Sequence, residues 1–173
     1  MTYFISYNKC IGFDYVRKGE AANMTSTGLI VMDMQTGFLS AQNPGLITRV
    51  NGLICESMNA NQIILLVHYI GQGHTLSSIR KQVKHYEHVY YVWSFSDDKC
   101  KDILVDHGHV KEWKICGVNI DVCIFQTIDG FHNWAPDTHI CLVPDACGAY
   151  NPEDIDASVH LMVISYPNFS IQI

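Results

Sequence analysis

Five short apolar runs set the outer limits on how this chain can fold. They are GLIVM at 28–32, QIILLVH at 62–68, HVYYVW at 88–93, WKIC at 113–116 and HICLV at 139–143. Position after position of the first is apolar, as a strand must be when helices cover both faces of its sheet. Helical spacing follows most of the runs. Ile47, Val50, Ile54 and Met58 share one face behind the capping pair Asn43-Pro44, and Ile124, Phe125, Ile128 and Phe131 do so after the fourth run. Further helices are predicted over 97–106 and 151–164, a loop with a short helix over 71–87, and a last strand over 169–173. Strand–helix alternation predicts an α/β fold: a Rossmann-like, three-layer α/β/α domain with a mostly parallel sheet. The domain is expected over 27–173, behind an N-terminal extension (1–26) that could form a short hairpin.

Composition narrows the function classes. The net charge of −6 and the scattered basic residues argue against a nucleic-acid partner, which needs a basic face. The longest apolar run is far short of the roughly 18 residues of a membrane span, and no signal peptide is visible. The seven cysteines include no CxxC pair and no zinc-type spacing, so they read as reduced thiols in a cytoplasmic protein.

In parallel sheets, chemistry collects at the carboxyl ends of the strands. Asp33 follows the first strand, His68 ends the second, Trp93 ends the third, and Cys123 follows the fourth. Gly117 is expected to end the fourth strand and Asp121 to start the next helix, which puts Cys123 in that helix's first turn. Unpaired N–H groups gather there, a setting that lowers a thiol's pKa and favours an oxyanion. A carboxylate at Asp33 within reach of that thiol could take its proton and leave a thiolate to attack a carbonyl carbon.

Two motifs carry a resemblance. Gly28-Leu-Ile-Val-Met-Asp33-Met-Gln35-Thr-Gly-Phe38 resembles the opening motif of the isochorismatase-like cysteine hydrolases (the nicotinamidase/isochorismatase superfamily). Gly117-Val-Asn-Ile-Asp-Val-Cys123 resembles their nucleophile motif. Phe95, Gly108, Val143-Pro-Asp145-Ala146 and His160 also fall in family order, so the likeness spans about residues 27–165. It implies hydrolysis of a small-molecule amide or related C–N bond through a thioester, with Cys123 as nucleophile and Asp33 as base. It further implies an oxyanion hole from the backbone N–H groups of Asn119 and Cys123, a cis peptide between Val118 and Asn119, and a homo-oligomer, dimer or tetramer. Gln35, Phe38, His68 and Trp93 are the expected pocket residues. Isochorismatases proper cleave a vinyl ether without this cysteine, so Cys123 favours amide chemistry.

The pattern breaks in two places. Family members carry a catalytic lysine just after the third strand, whereas residues 88–96 read His-Val-Tyr-Tyr-Val-Trp-Ser-Phe-Ser. Unless Lys84 or Lys99 fills that place, the site is weakened, and the alternative is a catalytically impaired binding or scaffold protein. Nicotinamidases of the family hold zinc through Asp-x-His and a further histidine. Residues 68–74 here keep His68 and His74 but lack the aspartate, so no metal and no other cofactor is expected.

Overall fold

The computed structural model describes residues 26–172. The extension and hairpin expected over 1–26 lie, but for Ser26, outside the described residues. The elements in chain order are β1 (Thr27–Met32), α1 (Pro44–Asn59), β2 (Ile63–Tyr69), α2 (Ser77–Val83), β3 (Val89–Ser94), α3 (Cys100–His107), β4 (Glu112–Val118), α4 (Phe125–Trp134), β5 (His139–Gly148), α5 (Asp154–Ser165) and β6 (Phe169–Ile171). A 3-10 turn at Ser40–Gln42 precedes α1, and a π-helical turn at Ile120–Ile124 precedes α4.

The six strands form one sheet in the order β3-β2-β1-β4-β5-β6, every pairing parallel. Successive side chains point to opposite faces, and the cores follow that period. Leu29, Val31, Ile64 and Leu66 pack against Val50 and Ile54 of α1 and Ile79 of α2. Ile30, Met32, Leu65 and Val67 pack against Ile103 of α3, Ile128 of α4 and Met162 of α5. Burying each such side chain contributes about 1.5–3 kcal/mol, and two buried faces explain why β1 and β2 are apolar throughout. This is the expected three-layer architecture, with a wholly parallel sheet.

The capping residue expected at Asn43 is in place: its side-chain oxygen accepts from the N–H groups of Gly45 and Leu46. The end expected for β5 is not. The strand does not stop at Pro144 but continues to Gly148. Ile115 pairs with Leu142 and Gly117 with Cys147, so the intervening residues of β5 bulge out of register. Proline has no N–H to give a ladder, and a bulge accommodates it.

The strand order reverses at β1 and β4. In open sheets of this winding the crevice outside the carboxyl ends of such a strand pair is where ligands bind. Gly117 makes the pairing close there: its φ is +113°, and a Cβ at that position would lie 2.8 Å from the Met32 nitrogen and nearer still to the Met32 carbonyl oxygen. Only glycine fits that backbone conformation and spacing without strain.

Candidate active site

Asp33 leaves β1 in the left-handed region (φ 50°), and its N–H bonds to the Val67 carbonyl at 2.9 Å. A non-glycine residue there is uncommon; the side chain is fully buried beside Lys99. From β4, the chain passes through a cis peptide between Val118 and Asn119, as the resemblance implied. The Asn119 carbonyl accepts the N–H groups of Val122 and Ile124, at 3.2 and 3.0 Å. This winds the wide turn on which Cys123 sits, so the cysteine occupies a π turn ahead of α4 rather than the first turn of an α-helix. The Asn119 side chain is fixed from the far side by the Ser40 hydroxyl, which donates to its Oδ1 at 2.6 Å.

The cation missing from the end of β3 arrives from another place. Lys99 Nζ lies 3.1 Å from Asp33 Oδ2, and both side chains are fully buried. The ammonium also donates to the Ser96 carbonyl at 3.0 Å and stands 4.9 Å from the centre of the Tyr69 ring. The sequence reading put Lys99 inside a helix over 97–106. In the structure that helix begins at Cys100, and residues 95–99 form an irregular approach that turns Lys99 into the core. Its backbone is held by Thr127 of α4, whose hydroxyl accepts the Lys99 N–H at 3.2 Å. Of the alternatives left open by the sequence, the structure brings Lys99 to Asp33.

Electrostatics follow from this burial. Desolvation raises the Asp33 carboxyl above its ordinary range, opposed by the Lys99 ammonium, the Cys123 thiol and the Tyr69 N–H. Cys123 does not have the lowered pKa expected of a helix start. Burial first, and then the Asp33 charge, push the thiol up to about 12, with Lys99 pulling the other way. At rest the sulfur carries its proton, and a neighbour must accept that proton for the sulfur to attack.

Cys123 opens onto a cavity of about 210 Å³ lined by Phe38, Tyr69, Gln72, Asp97, Val122 and Tyr150. Asp97 had no place in the sequence reading, yet its Oδ1 accepts from the Cys123 thiol at 3.6 Å. Of the expected pocket residues, Phe38 lines the cavity. Gln35 is wholly buried and clasps the neighbouring loop, accepting from Tyr69 N–H at 2.8 Å and donating to the carbonyls of Tyr69 and Gly73 at 3.1 and 2.9 Å. His68 and Trp93 are not among the lining residues. His68 is buried, hydrogen-bonded to the Thr75 hydroxyl and stacked on Trp93 with ring centres 4.4 Å apart. A larger depression of about 390 Å³ lies beside α1 and the β5 bulge, next to the exposed Arg49–Asp145 ion pair, and is lined by no cysteine or histidine.

His68 Nε2 is engaged by Thr75, and its Nδ1 is buried with no partner. Among the described residues no group of three or more His, Cys, Asp or Glu side chains is placed to hold an ion. None of the described helices is long and apolar enough to cross a membrane.

The isochorismatase domain model matches residues 27–171. No curated protein matches the sequence closely enough to count as a relative. Among solved structures, the Staphylococcus aureus nicotinamidase SaPncA superposes with a TM-score of 0.70 at 14% identity, over 86% of this chain and 100% of that one. The MAR1 ribonuclease of Caenorhabditis elegans gives 0.75 at 20% identity, over 87% and 78%. The YcaC gene product of Escherichia coli, described as an octameric hydrolase of unknown specificity, gives 0.68 at 16% identity, over 90% and 80%. At these identities the likeness is one of fold.

Proposed function

The chain belongs to the isochorismatase family, and from that premise we propose that it hydrolyses a small-molecule amide or related C–N bond with Cys123 as nucleophile and Asp33 as proton carrier. The observation that carries the reading is the wholly buried Lys99–Asp33 pair beside the Cys123 thiol. Asp33 takes the Sγ proton as sulfur attacks the substrate carbonyl carbon. The carbonyl π electrons move to oxygen, where the N–H groups of Asn119 and Cys123 receive the oxyanion, with Lys99 supplying positive charge nearby. Collapse breaks the C–N bond, and Asp33 returns its proton to the leaving nitrogen. Water then attacks the thioester while Asp33 again takes a proton, releasing the acid and regenerating the thiol.

A thiol held near 12 suits this sequence, because proton transfer to Asp33 and bond formation then occur together. The impaired-protein alternative rested on a missing lysine, and Lys99 removes its basis. Ribonuclease activity, named for the C. elegans neighbour, is not favoured for this chain: a polyanion gains little from a cavity walled by the Asp97 carboxylate on a molecule of net charge −6. Assembly into a homo-oligomer belongs to the same proposal and is read directly by light scattering.

The test is a burst experiment with a small neutral acyl donor, p-nitrophenyl acetate. One equivalent of nitrophenolate per chain is expected, with the acetyl group found on Cys123 by mass spectrometry. Cys123→Ser abolishes the burst and Asp33→Asn slows it by roughly 100-fold or more. Acetylation confined to the exposed Cys55 would overturn the reading.

A further inference from the structure

The cavity in front of Cys123 has a polarity that the hydrolytic steps above do not use. Among its lining residues Phe38, Tyr69, Gln72, Val122 and Tyr150 are uncharged, and Asp97 alone carries a formal charge. Lys99 is fully buried and committed to Asp33 and the Ser96 carbonyl. Asp97 Oδ1 lies 3.6 Å from the Cys123 sulfur, close enough that any group bonded to that sulfur comes within its field. Burial first, and after it the charges of Cys123, Asp121, Asp97 and Asp33, push the Tyr150 phenol up, so Asp121 adds a second carboxylate within reach of the cavity wall.

A carboxylate in this position hinders the nucleophile. It opposes a thiolate and does not replace Asp33, which has the buried lysine beside it. Its benefit must therefore come when a ligand is present. A positive group placed against Asp97 both binds there and cancels its opposition to the developing negative charge on sulfur.

We propose that Asp97 is the specificity-determining residue of this pocket, selecting small amides that carry a cationic group, such as an ammonium or amidinium, close to the scissile C–N bond, and rejecting anionic ones. This rests on the reading of Cys123 as the reacting group. Asp97→Asn preserves side-chain shape and leaves the Asp97 carbonyl free to accept from Thr127, a contact of 3.3 Å in the native chain.

Modification of Cys123 by three methanethiosulfonates of matched size, bearing aminoethyl, hydroxyethyl or sulfonatoethyl groups, tests it. Each rate is divided by that of the exposed Cys55 in the same chain, which removes the reagents' intrinsic differences. The native protein is expected to favour the cation over the anion by tenfold or more at Cys123. In Asp97→Asn the ratio falls to about one while the neutral reagent reacts faster, whereas a residue with a purely structural role would slow all three alike. A ratio near one in the native protein, or one that Asp97→Asn leaves unchanged, overturns the proposal. A binding arm uses Cys123→Ser with glycinamide, propanamide and malonamate followed by calorimetry. There the cation must bind at least tenfold tighter than the anion, and Asp97→Asn must abolish the difference. If no reagent reaches Cys123, the nucleophile reading fails and the binding arm alone decides Asp97.

Discussion

Replacing Lys99 by methionine separates the structural role of the buried cation from its chemical one. At 3.1 Å, two unit charges attract by about 5 kcal/mol at an effective dielectric constant near 20. Removing one partner of a buried pair costs about 3–5 kcal/mol, because the other charge is left without compensation. Asp33 limits that cost by picking up a proton, since burial already raises its carboxyl. The lower figure, about 3 kcal/mol, is therefore expected, and for a chain of this size it corresponds to a fall in Tm of about 6–12 °C. The double variant Lys99→Met/Asp33→Asn has no buried charge to strand, and its Tm returns to within about 3 °C of the native value or exceeds it. Acylation behaves differently. The burst slows by roughly 100-fold or more in the single variant and does not recover in the double one, because neither retains an ionised base. Differential scanning calorimetry and the nitrophenolate burst read the two quantities on the same samples. A single variant as stable as the native protein, or a double variant no better than the single, would refute the buried-pair reasoning.

Two further outcomes follow from the geometry. Gly117→Ala places a methyl group against the Met32 backbone at a φ that alanine rarely adopts, so a loss of at least about 3 kcal/mol in urea unfolding is expected; an unchanged midpoint would show that β1 and β4 are looser than described. His68 is lowered to about 4 by burial, with His74 adding to it. A histidine whose folded pKa is depressed contributes stability that is complete above its unfolded value near 6.5 and is lost as pH falls toward 4. That contribution is about 3 kcal/mol. Tm should thus drop through this window, and His68→Gln should flatten the drop; equal acid limbs in the two proteins would assign it elsewhere, for instance to His107, which burial also lowers.

The sheet was legible because its strands are buried on both faces, and continuous apolar runs have few other uses in a chain of this length. Asp33 and Cys123 were legible for a related reason: each follows a strand that ends at the reversal of strand order. The limits were equally physical. A helical pattern running back to Asp97 conceals where the first turn begins, and that boundary decides whether Lys99 faces solvent or the core. Asp97 gave no signal, since an acidic residue before a helix usually serves as a cap. His68 sits at a strand end as expected, but its stacking on Trp93 and its bond to Thr75 are long-range facts that strand position does not encode. The apolar run 139–143 ends before Pro144, whose missing N–H breaks a ladder, and a bulge absorbs that break.

Gly130 gives the site an unexpected sensitivity. A Cβ there would stand 2.7 Å from that of Cys100 and press on the Asp98 carboxylate, so α4 and the start of α3 touch at a point without room for a methyl group. The helix that follows Cys123 and the turn that carries Lys99 are thereby gauged against each other, while Asp33 is tied to the sheet through the Val67 carbonyl. A residue that lines no part of the Cys123 cavity thus sets how closely those two elements approach.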